Sequence, residues 1–315
     1  MILVVNADDA GVDPPRNRGI LRAAKEGIVR SASLLVSFEA ARDFVEAARS
    51  VPGLGIGLHL NVTEGSPIAG GHRSLVDAGG RFPGKHEVYR RAAAGLVDAR
   101  EARREIEAQW SRLEAWGVRP THVDGHNHAH LFPGIAEAVA EAFPAGTWVR
   151  RPPPGNPGAL LPADPYANPG ARRVALSGLS ARALSAGWLK FKATSRFEGV
   201  TLPRGYGPED LISLLHSIAC DENDVVELMT HPGERCDASV QFSASPDRER
   251  EIASLTHPSV QAFIRAEGIR LESFGGDEEA ALKAGYQKLE LPKRSALRGV
   301  LERDETVLPG PVARR

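Results

Sequence analysis

Short runs of apolar residues alternate with longer amphipathic segments along most of the chain. Seven of these runs have the length of buried strands, because their apolar residues are nearly continuous. The predicted strands cover residues 2–5, 33–37, 55–60, 122–124, 148–150, 225–229 and 269–274. Amphipathic segments predict helices over residues 18–26, 40–49, 98–116 and 134–143, and Asp98 caps the third of them.

The order of these elements predicts an α/β protein with a parallel sheet. Strands that are apolar on both faces are typical of sheets that helices cover on both sides. About seven such strands favour a (β/α) barrel, complete or incomplete, over an open nucleotide-binding sheet. Neither G-x-G-x-x-G nor G-x-x-x-x-G-K-[ST] follows a predicted strand, which removes the main support for nucleotide binding.

Two regions interrupt this alternation. Seven prolines fall between Pro152 and Pro169, and so many prolines exclude regular structure there. The segment is either a lid over a functional site or a surface elaboration without a role in it.

From about Gly275 the chain becomes polar and then basic. We therefore expect a barrel domain over residues 1–275 and a weakly ordered tail over residues 276–315, with a short helix at 295–303.

The composition narrows the classes of function. Of the 315 residues, 42% are apolar and 25% are charged, as in globular proteins that bury a large core. The formal net charge of −1 argues against partners such as nucleic acid or an acidic membrane surface. The first residues lack the basic region of a signal peptide, and Cys220 and Cys236 lack CxxC spacing. We therefore expect a cytoplasmic protein with reduced thiols and no membrane span.

A cluster of histidines is the strongest chemical signal in the sequence. Four of the ten histidines lie within nine residues, in T-H-V-D-G-H-N-H-A-H, together with Asp124. Imidazole and carboxylate groups are ligands that borderline divalent metals prefer. The cluster therefore predicts a metal site, and a polar loop of hydrogen-bonded histidines is the alternative. These histidines are His122, His126, His128 and His130.

Candidate functional residues follow four of the predicted strands. Asp8 and Asp9 follow the first, His59 lies near the end of the third, His126 follows the fourth, and His231 follows V-V-E-L-M-T. Active sites of parallel α/β proteins are built at the carboxyl ends of their strands, which meet on one face. The four strand ends therefore predict one site.

The adjacent carboxylates Asp8 and Asp9 suggest a division of labour beside two histidines. One carboxylate ligates a metal, and the other accepts a proton from the attacking water. A turn or a helix cap is the alternative interpretation of this pair. His231 is the candidate general acid, because imidazole titrates near neutral pH. A capping or structural histidine before Pro232 is its alternative.

Three other polar residues are candidates for supporting roles. Arg150, at the end of a predicted strand, either holds the base carboxylate or an anionic group of the substrate, or lies on the surface. Glu105 and Gln109 lie four residues apart on one face of a predicted helix. They form either part of the site or an unrelated polar pair.

These residues together resemble the YdjC-like carbohydrate deacetylase family, which includes chitooligosaccharide deacetylase. The resemblance covers roughly residues 1–275, in the order of the family's motifs, and does not include the basic tail. It rests on the segments N-A-D-D-A-G, G-I-V-R-S-A-S-L-L-V, G-L-H-L-N-V-T-E-G, E-I-E-A-Q, T-H-V-D-G-H-N-H-A-H-L-F-P, M-T-H-P-G and D-R-E-R-E-I-A-S-L-T-H-P-S-V.

The resemblance implies a distorted TIM-like (β/α) barrel, often dimeric, that hydrolyses the acetamide of N-acetylated mono- or oligosaccharides. It implies a divalent metal held by Asp9, His59 and His126, with Asp8 as the general base and His231 as the acid. Zn²⁺ suits such ligands, whereas Mg²⁺ usually prefers more oxygen atoms, and both stay open. The residues that would orient these ligands or face the substrate are His122, Asp124, His128 and His130.

Two departures from the family bear on the substrate. Ala10 follows the aspartate pair where the family usually has Phe, and the proline-rich segment from Arg151 is longer than usual. Phe132 and Trp148 are either platforms for a sugar ring or parts of the core. Another metal hydrolase, such as a phosphoesterase or amidohydrolase, is the first alternative function. A carbohydrate-binding scaffold without catalysis is the second.

Overall fold

The computed structural model describes residues 1–155, 162, 164, 166–200, 202–203, 205–219, 224–235 and 245–276. Cys220, Cys236, residues 277–315 with the predicted helix at 295–303, and much of the proline-rich segment lie outside this part of the chain. The division into a barrel domain and a tail therefore stays a prediction. Between residue 152 and Pro169, the described residues belong to no helix or strand, as the prolines predict.

Seven strands form the described sheet. They are β1 (Ile2–Ala10), β2 (Ser31–Leu34), β3 (Gly55–Leu60), β4 (Val123–Gly125), β5 (Arg196–Glu198), β6 (Val225–Thr230) and β7 (Arg270–Leu271).

The α-helices of the described residues lie between these strands. They are α1 (Pro14–Glu26), α2 (Ala41–Ala48), α3 (Lys85–Ala93), α4 (Ala99–Ala115), α5 (Ile135–Ala142), α6 (Pro169–Ser185), α7 (Pro208–Ile218), α8 (Asp247–Leu255) and α9 (Pro258–Ala266). Two 3₁₀ segments, His126–Leu131 and Trp188–Lys190, complete the set. Within the described ranges, no helix has the length and apolar character needed to cross a membrane.

All strands of the sheet are parallel, and they curve into a distorted (β/α) barrel. Their order is β4-β3-β2-β1-β6-β5, and β7 pairs with the first two residues of β1. Beyond β4, single parallel bridges join Val123 to Val149 and Trp148 to Lys192, and they extend the wall toward β5. The predicted fold class is therefore confirmed.

The boundaries of several predicted elements were wrong. Strand β2 ends at Leu34 instead of Ser37, because the chain turns there and Phe38 donates its backbone N–H to the Leu35 carbonyl. The predicted strands at 148–150 and 269–274 shrink to single bridges and to the two residues of β7. Helix α1 begins at Pro14, earlier than predicted, because the Asp13 side chain caps it by accepting from the Arg16 backbone.

Other elements escaped sequence reasoning altogether. Helix α6 begins within the proline-rich region, where Asn168 caps it and Pro169 occupies its first turn. Proline at this position supports a helix start, although the same residue in the interior would break it. Helices α3 and α7 and the three-residue strand β5 were also missed, although the buried residues Leu211, Leu215 and Ile218 of α7 follow helical spacing.

Polar side chains meet inside the barrel beneath its carboxyl end. Asn6 donates to Ser33 Oγ at 2.7 Å, and Ser33 in turn donates to Asp124 Oδ2 at 2.8 Å. The His122 ring lies against the same hydroxyl, with Nε2 2.9 Å from Ser33 Oγ. A side chain on Gly57 would place its Cβ only 2.3 Å from the His122 ring. Glycine on β3 therefore makes room for the buried histidine.

We predict that Gly57→Ala destabilises the protein by about 1–3 kcal/mol, the usual cost of overpacking a filled core. The measurement is the free energy of unfolding from urea denaturation. Gly70→Ala is the matched control, because nothing lies within 4 Å of an added Cβ there. Equal stability of the two variants would contradict this role of Gly57.

Candidate active site

Three strand ends bring Asp9, His59 and His126 together. Asp9 lies at the end of β1, His59 lies near the end of β3, and His126 directly follows β4. All three side chains are buried, and their potential ligand atoms lie within 4.8 Å of one another. Asp9 has a φ of 66°, in the left-handed region that residues with a side chain seldom adopt. Such strained backbone is concentrated at functional sites.

The contacts of Asp9 fit a cation between these three residues. Its Oδ1 lies 2.8 Å from His126 Nδ1 and 3.3 Å from His59 Nε2. Both carboxylate oxygens are nevertheless buried without a hydrogen bond of acceptable geometry to any described residue. One carboxylate and two imidazoles are a donor set that a divalent metal accepts, and it leaves coordination positions open.

His59 is oriented by a second carboxylate on its far side. Its Nδ1 lies 2.7 Å from Asp124 Oδ1, so the Nδ1–H donates to Asp124 and Nε2 faces Asp9. This is the arrangement in which a carboxylate fixes the tautomer of a metal-binding histidine. Burial alone would lower the pKa of His59, but the charges of Asp124 and Asp8 raise it to about 10. A cation must therefore compete with a proton for this nitrogen.

The guanidinium of Arg150 binds three buried carboxylates at the floor of the site. It lies 2.7 Å from both oxygens of Asp8, 2.8 Å from Asp124 Oδ2 and 2.6 Å from Glu227 Oε1. Asp8, His59 and Asp124 form a second group whose spacing would suit a cation. Because Arg150 binds both carboxylates of that group, a fixed positive charge already compensates them. The prediction that Arg150 holds the Asp8 carboxylate agrees with this geometry, and the surface alternative was wrong.

Asp8 lies beside the candidate metal group without joining it. Asn6 donates to its Oδ1 at 2.8 Å, and its Oδ2 lies 4.0 Å from His59 Nε2. Burial raises the pKa of Asp8 above its usual value, although Arg150 opposes that shift. A carboxylate with a raised pKa is a stronger proton acceptor, which is what a general base requires.

The other histidines of the cluster lie outside the candidate metal group. His122 Nε2 contacts Ser33, its ring stacks on Phe274 at 4.1 Å, and burial lowers its pKa to about 3. His130 donates from Nε2 to the Arg150 carbonyl at 3.0 Å, and burial lowers its pKa to about 4. The contacts of these two residues agree with hydrogen-bonded neutral histidines, and a supporting role for His122 stays a prediction.

His128 takes an unusual place beside this group. It has a φ of 58°, next to Asn127 with a φ of 55°, and its ring packs edge-on against Phe197 at 5.9 Å. Burial holds its pKa well below the usual range, so it is also neutral. Its Nδ1 is buried without a hydrogen bond to the described residues. A role facing the substrate stays a prediction.

Gln109 and Glu105 support loops of the site rather than contacting the metal group. Gln109 accepts from the Asn61 backbone N–H at 3.0 Å and donates to the Asn61 carbonyl at 2.6 Å, two residues beyond His59. Glu105 accepts from the backbone N–H groups of Ile68 and Ala69. The conformation of the loop that follows β3 therefore depends on helix α4.

His231 follows β6 and lies within electrostatic reach of Asp9. Burial and the positive charge of Arg248 hold its pKa well below the usual range, and the charge of Asp9 acts in the opposite direction. Its backbone N–H donates to Glu251 Oε2 at 2.6 Å, and its carbonyl accepts from Arg16 at 2.8 Å.

Comparison with known proteins identifies the family. Residues 2–266 match the model of the family described as YdjC-like protein. The chain belongs to the YdjC-like family. It is 36% identical over 299 residues to a carbohydrate deacetylase from Mus musculus, covering 85% of this chain and 92% of that protein. It is 32% identical over 279 residues to a carbohydrate deacetylase from Brevibacillus brevis, covering 87% and 98%.

A further relative and a solved structure agree with this assignment. A chitooligosaccharide deacetylase from Enterobacter is 31% identical over 281 residues, covering 87% of this YdjC-like chain and 98% of that protein. The crystal structure of a protein provisionally described as a cellobiose-phosphate cleavage protein, from Enterococcus faecalis, superposes with a TM-score of 0.64 at 26% identity. The match covers 87% of this chain and 97% of the Enterococcus faecalis chain.

Two acidic residues of this YdjC-like site escaped sequence reasoning. Glu64, in the loop after β3, places its Oε1 3.2 Å from His126 Nε2. Glu227 contacts Arg150 across 77 residues of sequence. Glu227 could have been suspected from the sequence, because it is a single glutamate inside the otherwise apolar segment V-V-E-L-M-T.

The two aromatic candidates for stacking on a sugar do not face the site. Phe132 is buried in the core, where it contacts the Tyr89 ring edge-on at 5.3 Å. Trp148 lies near Phe274, the residue on which His122 stacks ahead of β4, at the amino end of the strands. Core packing therefore explains Phe132, whereas Trp148 is half-buried and lies away from the candidate site. Ala10, which follows the aspartate pair, is also fully buried.

We predict that Glu227→Gln gains stability relative to wild type as the pH rises from about 4.5 to about 7. Burial raises the pKa of Glu227 from 4.5 to about 7, so ionising it costs more in the folded protein than in the unfolded chain. The stability that Glu227 contributes is therefore present at low pH and lost across this interval. Glutamine does not titrate and escapes the loss.

The measurement is the free energy of unfolding of both proteins at several pH values in that interval. Glu114→Gln, on an exposed part of α4, is the control and should track wild type at every pH. A difference between Glu227→Gln and wild type that stays constant with pH would contradict the prediction.

Proposed function

We propose that this protein hydrolyses the acetamide of N-acetylated mono- or oligosaccharides, which releases acetate and the free amine. The observation that carries the proposal is the buried group of Asp9, His59 and His126 with the Asp8 carboxylate beside it. Relatives that match more than 80% of the chain are named carbohydrate or chitooligosaccharide deacetylase, which supports this choice of substrate class.

Asp9, His59 and His126 would hold one divalent cation, and we propose Zn²⁺ or Mg²⁺. Two imidazoles among three protein ligands favour Zn²⁺, whereas Mg²⁺ would draw its remaining ligands from water. Bound there, the cation would polarise the acetamide carbonyl and lower the pKa of the attacking water.

In this proposal, Asp8 is the general base. It accepts a proton as the oxygen of water bonds to the acetamide carbon. Arg150 and Asn6 fix both oxygens of its carboxylate, which removes the entropic cost of orienting the base during the reaction. The guanidinium also opposes the rise that burial causes in the pKa of Asp8, which favours the ionised form of this carboxylate.

His231 would protonate the leaving nitrogen. When the bond between carbon and nitrogen breaks, the amine takes a proton from the His231 imidazolium, and the acyl group departs as acetate. In the free protein the low pKa keeps this imidazole neutral. Negative charge that develops on the tetrahedral adduct raises the proton affinity of a nearby imidazole, so His231 gains its proton from solvent during the reaction.

The contacts of Arg150 argue against the alternative of a two-metal phosphoesterase. In such enzymes two cations, about 3.5–4 Å apart, stabilise the attacking and the leaving oxygens. Here the second group of suitable spacing already binds a guanidinium through Asp8 and Asp124. A non-catalytic scaffold is disfavoured because a base, a candidate acid and a cation site are all present.

We propose that the proline-rich segment acts as a lid, on the contacts of two of its described residues. Tyr166 donates from its hydroxyl to the Asn127 carbonyl at 2.8 Å, directly after the candidate ligand His126. Tyr89 donates to the Pro162 carbonyl at 2.8 Å. These contacts support the lid interpretation over a surface elaboration. A cytoplasmic location and a homodimer accompany the proposal as predictions from sequence and family.

The direct test is acetate release from N-acetylglucosamine and diacetylchitobiose by metal-stripped protein, with and without added Zn²⁺ or Mg²⁺. We expect release only after metal is restored. Metal binding without release from either sugar would contradict the proposal, and would indicate another acyl or a phosphoryl substrate.

Two variants assign the roles of base and ligand. We predict that Asp8→Asn retains the metal but lowers turnover by about 100- to 10,000-fold, the usual contribution of general base catalysis. His126→Ala should lose both metal and activity. Turnover and bound metal are measured for each protein. His216→Ala, an exposed histidine on α7, is the control and should keep both properties. Retained activity in Asp8→Asn and His126→Ala would overturn the mechanism.

A further inference from the structure

His231 is the first residue after the hydrogen-bonded part of β6. The ladder between β1 and β6 ends with Ala7 opposite Thr230, and Pro232 follows without a backbone N–H. The N–H and the carbonyl of His231 therefore have no strand partner at the edge of the barrel. Buried backbone groups need other partners, because leaving them unpaired is costly.

Charged side chains from two helices supply those partners. Glu251 of α8 accepts from the His231 N–H at 2.6 Å, and Arg16 of α1 donates to the His231 carbonyl at 2.8 Å. Arg248, one turn before Glu251, lies 3.4 Å from its Oε1 and 3.5 Å from the same carbonyl. Glu251 and Arg16 are both buried.

The loop around His231 is also tightly packed between these helices. Gly233 donates its backbone N–H to the Arg248 carbonyl, and Glu234 donates to the Pro15 carbonyl at 3.0 Å. An added Cβ on Gly19 would lie 2.5 Å from Gly233 Cα, so the loop and α1 are in direct contact. The segment is therefore held on both sides.

We infer that Glu251, with Arg16 and Arg248, is a positioning residue that aims the His231 side chain at the leaving group. Glu251 binds the backbone N–H of His231, and Arg16 binds its backbone carbonyl. These two groups lie on either side of the His231 Cα. Fixing both groups fixes the backbone torsions of His231, and these set the direction of its Cα–Cβ bond. With the Cα–Cβ bond of His231 fixed, only its side-chain torsions decide which part of the site the ring reaches. The inference rests on the proposed function, in which His231 protonates the amine.

The inference also gives a role to the segment D-R-E-R-E-I-A-S-L, which the proposed chemistry leaves unused. Arg248 and Glu251 lie three residues apart on α8, and both turn toward His231. Glu249 lies between them and is exposed, which makes it a matched control on the same helix.

The experiment compares a substrate that needs a proton on its leaving group with one that does not. Hydrolysis of N-acetylglucosamine must protonate an amine, whereas 4-nitrophenyl acetate releases a stable phenolate. We expect Glu251→Leu to lower kcat/KM for the sugar by about 10- to 100-fold, as misplaced catalytic groups do, and to change ester hydrolysis little. Glu251→Gln keeps an oxygen that accepts from the His231 N–H and should restore most of the sugar activity.

Controls separate positioning from folding and from metal binding. Bound metal and thermal melting are measured for every variant, and Glu249→Leu should match wild type on both substrates. His231→Ala should show the same selective loss as Glu251→Leu. Suppose that His231→Ala loses only the sugar activity. If Glu251→Leu then loses both activities equally, or loses neither, the inference is overturned and the proposed function still stands. Wild-type protein that cleaves the ester but never the sugar would refute the proposed function itself.

Discussion

The buried guanidinium of Arg150 is the interaction on which the candidate site depends. It compensates Asp8, Asp124 and Glu227, which approach one another inside the barrel from three strands. Without it, three carboxylates would face one another in a medium of low polarity. Removing one partner of a buried ion pair commonly costs about 3–5 kcal/mol, because the remaining charge stays uncompensated. Arg150 therefore allows three carboxylates to lie together beneath the group of Asp9, His59 and His126.

This distribution of charge gives neighbouring histidines of the site different chemical states. The charges of nearby carboxylates raise the pKa of His59 to about 10 and of His126 to about 9, although burial opposes both shifts. Burial lowers the pKa of His122 and His130, which hydrogen-bond to neutral groups instead. His59 and His126 thus attract positive charge, whether from protons or from a metal, whereas His122 and His130 stay neutral. Because all four are histidines, the difference comes from their positions relative to the Asp9 and Asp124 carboxylates.

Sequence reasoning located the strand ends because an apolar run followed by a polar residue is a local signal. Asp9, His59 and His126 could be brought together from that signal and the geometry of parallel strands alone. The partners of Arg150 were not predictable in the same way. Glu227 lies 77 residues from Arg150 in sequence, and only the closure of the barrel brings them together. Glu251 binds a backbone group, for which no side-chain pattern exists. The left-handed backbone of Asn127 and His128 suits these residue types better than most, but the sequence alone did not specify it.

We propose that Arg150 takes the place of a second cation and leaves one metal site, at Asp9, His59 and His126. Anomalous diffraction from crystals of the Zn²⁺-loaded protein, recorded at the zinc absorption edge, tests it most directly. The account predicts a single peak per chain, bounded by those three side chains, with Arg150 still bound to Asp8 and Asp124. A peak between Asp8 and Asp124 with the guanidinium displaced, or no peak beside Asp9, would contradict it.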